Sequence, residues 1–351
     1  MLVQSERATT RLAETPAPPG RADAGAPCMR VQGLTVTATG NRGATMGILR
    51  GVSFDLWRGR TLVLLGESGS GKSMTARAIL GLLPANATAG GEIHLGERSL
   101  FDLSPKDRNS LRGNRIAFIP QDPSGALNPF VRVAGQIVEV LRTHRPEMSR
   151  RDAKARAIEL LRMVRIADPE RVAKAWPHEL SGGMRQRVAI AIALSCDPEV
   201  LIADEPTTAL DVTVQAQMLD LFRSLLADSD SSLLLITHDV GVARELGDDV
   251  AVMYAGRIAE IGPGHEVLNR PRHPYTSALL GAVPRASTAR GSLIPIVGQP
   301  PHPGALAPGC AFAPRCTLAT EQCSIVEPDL AMIDNTNSVE AACVHLDLLE
   351  A

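Results

Sequence analysis

The stretch TLVLLGESGSGKS, residues 61–73, decides how this chain of 351 residues folds. An apolar run, Leu62 to Leu65, leads into the pattern G-x-x-x-x-G-K-S, and helix-forming residues follow it from Met74 to Leu80. A strand, a glycine-rich loop and a helix in this order are typical of a loop that binds phosphate. Glycines let backbone N–H groups approach a polyphosphate, and the helix N-terminus adds the positive end of its dipole.

The side chains of this loop predict a nucleotide site. Lys72 is expected to contact the β- and γ-phosphates of ATP, and the hydroxyl of Ser73 is expected to ligate Mg²⁺. The residues predicted to bind nucleotide here are Gly66, Glu67, Ser68, Gly69, Ser70, Gly71, Lys72, Ser73 and Met74.

Composition places the chain among soluble globular proteins, with 44% hydrophobic and 21% charged residues. The formal net charge of −2 provides no basic field, so we expect no nucleic-acid partner. No apolar run approaches the roughly 18 residues that a membrane-spanning helix needs. Residues 1–28 lack the apolar core of a signal peptide and are interpreted as a disordered extension.

Hydrophobic patterning predicts an α/β domain over residues 29–262. Alternating apolar and polar residues before the loop predict a small antiparallel sheet. Apolar runs at 199–203 and 232–237 are typical of strands buried on both faces of a parallel sheet, and 116–120 is a further strand. A hairpin is predicted to turn at Ala255-Gly256.

Two further segments complete the predicted organisation. Residues 122–180 are interpreted as a helical insert, in which Ser149 begins a helix as its N-cap. Beyond residue 262, proline and glycine become frequent and the α/β pattern fades, so 263–351 is predicted to be a smaller C-terminal extension.

Two acids and a histidine follow buried strands of the predicted sheet. Asp204 suits a direct or water-mediated Mg²⁺ contact, and Glu205 can accept a proton from an attacking water. His238 can hydrogen-bond a γ-phosphate oxygen. An acid pair at a strand end is commonly a solvated turn, and a lone histidine is more commonly structural. A phosphate loop on the same sheet favours the catalytic interpretation.

The segment LSGGMRQR, residues 180–187, predicts a second anion-binding helix terminus. Ser181 is a good N-cap, and Gly182 and Gly183 expose backbone amides at the start of a helix over 184–195. One nucleotide does not need two such sites on one protomer. The pattern therefore suggests an ATP held between two protomers.

Taken together, GESGSGKS, Gln121, LSGGMRQR, LIADEP, TALD and His238 resemble the ATPase subunit of an ABC transporter. The resemblance covers about residues 29–262. It implies an ABC-type nucleotide-binding fold with a parallel core sheet, an antiparallel β-subdomain and a helical insert.

The resemblance also implies a role for each matching residue. Gln121 would contact Mg²⁺ and sense the membrane subunits, while Glu205 would be the catalytic base and His238 the switch histidine. Leu210 and Asp211 would link the two nucleotide sites. The residues implied to bind the γ-phosphate of ATP on the opposite protomer are Ser181, Gly182 and Gly183.

One position departs from the family pattern. Such subunits usually stack adenine on an aromatic residue upstream of the phosphate loop, yet no Phe, Tyr, Trp or His lies between Leu34 and Phe54. We expect Met46 or Ile48 to take this place.

Four cysteines cluster in the C-terminal extension with the spacing C-x₅-C-x₆-C-x₁₉-C. Structural zinc prefers closer pairs, so an iron–sulfur cluster is at least as plausible, although His302 and His345 keep a mixed zinc site open. Cysteines that are merely buried are the third alternative. The four candidate ligands are Cys310, Cys316, Cys323 and Cys343.

This extension resembles the tail of dipeptide and oligopeptide importer ATPases, through RHPYT at 272–276 and GCAFAPRC at 309–316. In some members that tail holds a [4Fe-4S] cluster. The resemblance implies an ATP-hydrolysing subunit on the cytoplasmic side of the cell membrane. Its implied partners are a second, paralogous ATPase chain, two membrane permease subunits and an extracytoplasmic substrate-binding protein.

Peptide is the expected cargo, and three alternatives stay open. The same ATPase and tail occur in nickel and glutathione importers. Soluble ABC ATPases that act on ribosomes or DNA usually carry paired nucleotide units or long coiled coils, neither of which is seen in this sequence. A metal- or redox-sensing module with vestigial ATPase activity disagrees with the complete catalytic set.

Overall fold

The phosphate-loop strand lies in the middle of an eight-stranded sheet. The computed structural model describes residues 25–40, 43–208, 211–227, 229–283, 295–333 and 339–346. Most of the predicted N-terminal extension, and Leu210, therefore lie outside the described residues.

The strands are β1 (Met29–Thr39), β2 (Thr45–Leu56), β3 (Thr61–Leu65), β4 (Ala87–Leu95), β5 (Arg98–Ser99), β6 (Ile116–Ile119), β7 (Val200–Asp204), β8 (Ser232–Thr237), β9 (Asp249–Tyr254), β10 (Arg257–Pro263), β11 (Ala331–Met332) and β12 (Glu340–Ala341). The helices are α1 (Lys72–Leu80), α2 (Pro105–Leu111), α3 (Pro123–Ala126), α4 (Val133–His144), α5 (Arg150–Met163), α6 (Pro169–Lys174), α7 (Gly182–Ala193), α8 (Val212–Ala227), α9 (Val240–Leu246), α10 (Gly264–Asn269) and α11 (Pro274–Gly281).

The large sheet has the strand order β11-β12-β10-β9-β3-β8-β7-β6. Strands β6, β7, β8, β3 and β9 run parallel, whereas β10 pairs with β9 in the antiparallel sense. Every residue of β3, β7 and β8 is buried, as expected for strands that are covered on both faces. The predicted strand 232–237 has the bounds of β8, whereas β7 (Val200–Asp204) begins and ends one residue later than the predicted strand 199–203.

Alternate residues of β3 separate two hydrophobic cores. Leu62 and Leu64 face a core that contains α1 and the smaller sheet, while Val63 and Leu65 face the core formed with the helices on the other side. Since both sets of residues are fully or almost fully buried, the strand and the loop after it are held from both faces.

The smaller sheet is antiparallel, with the order β2-β1-β4-β5. Strand β1 alternates buried and exposed residues along most of its length, which is the pattern that predicted it. This observation, together with the parallel strands of the large sheet, agrees with the predicted α/β class of a nucleotide-binding domain.

The predicted insert, 122–180, is helical in the structure and contains α3, α4, α5 and α6. Ser149 is the N-cap of α5, and its hydroxyl accepts a hydrogen bond of 3.1 Å from the backbone N–H of Asp152. The predicted capping of this helix is therefore confirmed.

The β9–β10 hairpin turns at Ala255 and Gly256, as predicted, and both residues have positive φ, 45° and 80°. A Cβ atom on Gly256 would lie 2.2 Å from the carbonyl oxygen of Ile48, so only glycine fits. Its N–H donates to the carbonyl of Ser70 over 2.9 Å, and its carbonyl accepts from Arg50 N–H over 2.9 Å. This turn joins β2 to the phosphate loop.

The C-terminal extension packs directly on the large sheet. The predicted boundary at 262 falls inside β10, and β12 pairs with β10 along the same sheet edge. Glu260 of β10 is fully buried, and its carboxylate accepts backbone N–H bonds from Arg272 over 2.8 Å and His273 over 2.9 Å. Burial raises the pKa of Glu260 to about 7 and lowers the pKa of His273 to about 4.

Within the described ranges, no helix is long and apolar enough to cross a membrane.

Candidate functional site

The phosphate loop is held in a conformation that its glycines permit. Gly66 has a φ of 156°, and a Cβ atom there would lie 2.3 Å from the carbonyl oxygen of Met253. Gly71 has a φ of 109°, and its Cβ would lie 2.6 Å from Leu49 Cδ2. Helix α1 begins at Lys72, two residues earlier than its predicted start, so its first N–H groups belong to the loop itself.

Lys72 points back into the loop. Its ammonium Nζ donates to the carbonyl oxygens of Gly66 over 2.7 Å and Glu67 over 2.9 Å, and only 5% of the residue is exposed. Burial lowers the pKa of Lys72, while the Glu205 and Asp204 carboxylates oppose that shift. The Ser70 hydroxyl is buried and has no hydrogen-bond partner within the described residues. A buried cation and an unpaired hydroxyl in one loop fit a phosphate ligand.

Ser73, in the first turn of α1, lies beside Asp204, the last residue of β7. The Ser73 hydroxyl donates to Asp204 Oδ1 over 3.0 Å. Burial raises the pKa of Asp204, and the Ser73 hydrogen bond works against that rise. Hydroxyl and carboxylate oxygens are the ligand types that Mg²⁺ takes, so the pair fits the predicted magnesium site.

The Glu205 carboxylate contacts three side chains, those of Gln121, Thr208 and His238. Its Oε2 accepts from Gln121 Nε2 over 2.8 Å and from the Thr208 hydroxyl over 3.0 Å, while its Oε1 lies 3.1 Å from His238 Nδ1. The backbone of Glu205 has a φ of 47° and donates its N–H to the carbonyl of Ile236. Burial works to raise the pKa of Glu205, but the bonds from His238 and Thr208 outweigh it, and the pKa is lowered overall.

Parallel strands bring these side chains together. Gln121, Glu205 and His238 each follow the carboxyl end of a strand, β6, β7 and β8 in turn, and those ends lie on one edge of the sheet. The resulting carboxylate is ionised at neutral pH and is oriented at both oxygens. Such a group can take a proton from water.

The second predicted anion site begins α7. Ser181 is its N-cap, with the hydroxyl accepting from Met184 N–H over 3.3 Å, and the helix runs from Gly182 to Ala193. Ser181 and Gly182 are exposed and Gly183 is half-buried. The hydrogen bonds around Lys72 and Glu205 given above do not involve this turn.

The remaining predicted site residues lie on β2 and at the start of α8. Asp211 Oδ1 accepts from Val214 N–H over 2.9 Å at the start of α8. Met46 and Ile48, the expected adenine contacts, are half-buried on β2. The C-terminal extension reaches Met46, because a Cβ atom on Gly304 would lie 3.2 Å from its sulfur.

Three side chains that no sequence motif assigns to the site contact the predicted site residues. Thr208 bonds Glu205, as described above. Tyr275 and Arg315 of the C-terminal extension both bond Glu67 in the phosphate loop. Tyr275 and Arg315 belong to the quoted segments RHPYT and GCAFAPRC, but no local pattern indicates a contact between positions that are 208 and 248 residues apart.

The four candidate cysteines line one cavity, together with His273, Phe312 and His345. All four cysteines are free thiols. Backbone N–H groups lie 3.4 to 3.5 Å from the sulfurs of Cys316, Cys323 and Cys343. Burial raises the pKa of Cys310, Cys316 and Cys343. In the described part of the chain, no group of three or more His, Cys, Asp or Glu residues is arranged to hold a metal ion.

Two family models match the chain: ABC transporter over residues 49–208, and the C-terminal region of oligopeptide/dipeptide transporters over residues 259–323. A dipeptide transport ATP-binding protein of Bacillus subtilis is 46% identical over 313 residues, which cover 89% of this chain and 93% of that protein. An oligopeptide transport ATP-binding protein of Mycobacterium tuberculosis is 44% identical over 324 residues, 92% of this chain and 52% of that protein. The chain thus spans about half the length of this mycobacterial relative.

Solved structures give the same result for the fold. A dimeric bacterial ABC transporter cassette superposes with a TM-score of 0.61 and 29% sequence identity, covering 67% of this chain and 98% of that one. The same cassette in a post-hydrolysis state, bound to ADP and Pi, gives a TM-score of 0.60. The predicted α/β fold of an ABC cassette is confirmed. The chain therefore belongs to the ABC transporter ATPases, among the ATP-binding proteins of oligopeptide and dipeptide transport.

Proposed function

We propose that this chain hydrolyses ATP to drive the import of di- and oligopeptides through separate membrane subunits. The observation that carries the proposal is the Glu205 network. An ionised carboxylate is held by Gln121, Thr208 and His238 at the sheet edge that also carries Lys72 and the Ser73–Asp204 pair. This arrangement of a carboxylate, an ammonium and a hydroxyl–carboxylate pair at one edge supports a role in phosphoryl transfer to water.

In the proposed reaction, the loop amides and the ammonium of Lys72 bind the β- and γ-phosphates of ATP. Mg²⁺, held by Ser73, Asp204 and Gln121, would neutralise charge on the bound phosphates. Glu205 accepts a proton from water as the water oxygen bonds to the γ-phosphorus. The bond from that phosphorus to the β-phosphate oxygen breaks, and ADP and phosphate are released.

The remaining donors would come from a partner. We propose that Ser181, Gly182 and Gly183 of a second ATPase subunit bind the γ-phosphate, with His238 contacting it from this chain. Asp211 at the start of α8 would connect the two sites. The exposure of the α7 terminus and the dimeric state of the similar cassette support this arrangement. A paralogous second chain is the proposed partner.

The surface that contacts the membrane subunits is proposed to lie in the helical insert, near Gln121 to Arg145. Phe130, between α3 and α4, is 85% exposed, which is unusual for so large an apolar side chain. We expect Phe130→Ala to lower transport per ATP hydrolysed in the reconstituted complex. Leu82→Ala, at another exposed apolar residue (49%), is the matched control. Unchanged coupling in Phe130→Ala contradicts this placement.

We further propose that the four cysteines hold a [4Fe-4S] cluster. Their common cavity and the N–H groups directed at the sulfurs support a bound metal group. The spacing C-x₅-C-x₆-C-x₁₉-C is longer than the C-x₂₋₄-C pairs that structural zinc prefers, which favours the cluster over zinc. Anaerobically purified protein should contain acid-labile sulfide, and stoichiometric zinc without sulfide would refute the cluster.

The import function is tested by isolating this chain with its membrane partners and reconstituting the complex. ATP hydrolysis is measured with a substrate-binding protein loaded with short peptides, with nickel or with glutathione. Stimulation by peptide supports the proposal. Stimulation by nickel or glutathione alone keeps the ATPase and changes the cargo. If no membrane subunit is isolated with the chain, the proposed role in import is wrong.

A further inference from the structure

An ion pair joins the C-terminal extension to the phosphate loop. The Arg315 guanidinium donates from Nη1 to Glu67 Oε2 over 2.7 Å and from Nη2 to Glu67 Oε1 over 3.1 Å. This two-point geometry is the strongest way in which an arginine binds a carboxylate. The two residues are 248 positions apart, so the pair exists only when the extension is folded onto the cassette.

The surroundings of Arg315 fix its side chain in one direction. Only 5% of the side chain is exposed, and its Nε donates to the carbonyl of Val297 over 3.0 Å. The guanidinium also lies 5.7 Å from the ring of Tyr254 and 6.0 Å from that of Phe312. Because the Arg315 side chain is almost fully buried and is bonded at Nε, Nη1 and Nη2, a displacement of its backbone is expected to move the bound Glu67 carboxylate as well.

Glu67 is held at three points, and two of them belong to the extension. Its backbone N–H donates to the Tyr275 hydroxyl over 3.0 Å, and its carboxylate binds Arg315. Its carbonyl oxygen accepts from Lys72, the residue that is proposed to bind the β- and γ-phosphates. The position of Glu67 therefore sets the shape of the loop and one contact of its lysine.

From this arrangement we propose that Arg315 is a positioning residue for the nucleotide site, through which the C-terminal extension controls the affinity of the phosphate loop for ATP. The proposal rests on nucleotide binding at that loop, and it does not require the proposed metal cluster. Arg315 directly precedes Cys316, and Phe312 beside it lines the cysteine cavity. The extension and the nucleotide site should therefore stabilise each other, since coupling between two sites is reciprocal.

The direct test measures the Kd for ATP in the full chain with three variants: Glu67→Gln, Arg315→Gln and Arg315→Lys. If Arg315 acts by positioning, all three weaken ATP binding at least fivefold, which is the low end of typical coupling between sites. The double variant Glu67→Gln with Arg315→Gln should have a Kd for ATP no higher than the higher of the two single-variant values. The pair is then one interaction and not two.

Simple charge effects predict a different result. Loss of the carboxylate near the phosphates would tighten ATP binding in Glu67→Gln, and Arg315→Lys would bind as the wild type does, because its charge is retained. Either outcome overturns the proposal. If the wild-type chain itself binds no ATP, the proposed function fails first, and the two failures are thereby distinguished.

A matched control comes from the same contact between the extension and the cassette. Arg257 pairs with Glu327 over 3.1 Å and Asp329 over 2.9 Å, and neither of these partners belongs to the phosphate loop. Arg257→Gln removes a more exposed ion pair between the extension and the cassette and should leave the Kd for ATP within about twofold of the wild type.

Hydrogen exchange provides a readout that a merely structural role would not move. ATP should slow amide exchange in residues 310–325 of the wild type and of Arg257→Gln, and this slowing should vanish in Arg315→Gln. Equal slowing in all three proteins would show that the signal does not pass through Arg315.

Discussion

Replacing Glu205 by glutamine changes the proposed proton acceptor and little else around it. The amide oxygen can still accept from Gln121 Nε2 and the Thr208 hydroxyl, which now lie 2.8 and 3.0 Å from one carboxylate oxygen. The amide NH₂ then faces His238 Nδ1, at the present distance of 3.1 Å, and donates to it when that nitrogen is unprotonated. The network survives, and the basic site is lost.

The expected magnitude follows from that loss. A positioned general base contributes about 10²- to 10⁴-fold to the rate, or about 3 to 5 kcal/mol of transition-state stabilisation. We therefore expect Glu205→Gln to bind ATP with a Kd close to that of the wild type and to hydrolyse it at least a hundredfold more slowly. Single-turnover hydrolysis and equilibrium ATP binding measure the two quantities separately.

Thr208→Val provides the control for this experiment. It removes one hydrogen bond to the carboxylate but leaves the carboxylate itself. A hydrogen bond to a charged group is worth about 1.5 to 3 kcal/mol, of which only the part that differs between the ground state and the transition state changes the rate. Its turnover should fall by no more than about tenfold. If Glu205→Gln retains more than a tenth of wild-type turnover, Glu205 is not the general base and the network has another role.

Three further changes test the loop, the metal site and the buried acid. Gly66→Ala should abolish ATP binding, because its Cβ would lie 2.3 Å from the carbonyl oxygen of Met253, and equilibrium binding measures this. Ser73→Ala should raise the Mg²⁺ concentration for half-maximal ATPase activity at least tenfold, because Asp204 then lacks its neighbouring oxygen ligand. Glu260 has a pKa raised from 4.5 to about 7, so its contribution to stability is complete below pH 4.5 and is lost as the pH rises through 7. Relative to Glu260→Gln, the wild-type free energy of unfolding should fall by up to about 3 kcal/mol over that interval in denaturant titrations, and a constant difference would contradict the shift.

Local sequence patterns were sufficient to predict several strands, helix caps and turns of the cassette. The bounds of β8, the caps at Ser149 and Ser181, and the turn at Ala255-Gly256 agree with their predictions. Each depends on a few adjacent residues, because strand burial, helix capping and positive φ are local properties.

Contacts between segments that are distant in the sequence could not be predicted from local patterns. Gln121 and Glu205 both belong to recognisable motifs, but their hydrogen bond spans 84 positions and depends on β6 and β7 being neighbours. Arg315 carries no signal of its bond to Glu67, because a buried ion pair shows no periodicity. The positive φ of Glu205 is likewise a product of its tertiary bonds, since nothing in the residue type favours it.

The ion pair between Arg315 and Glu67 also has a consequence for the order of synthesis. A ribosome adds Arg315 248 residues after Glu67, and Tyr275 208 residues after it. A nascent chain can therefore complete β3, α1 and the parallel strands β6 to β9 while its phosphate loop still lacks the hydrogen bonds of Glu67 with Tyr275 and Arg315. If Arg315 positions the loop as proposed, full nucleotide affinity would begin only after the cysteine-rich segment has left the exit tunnel.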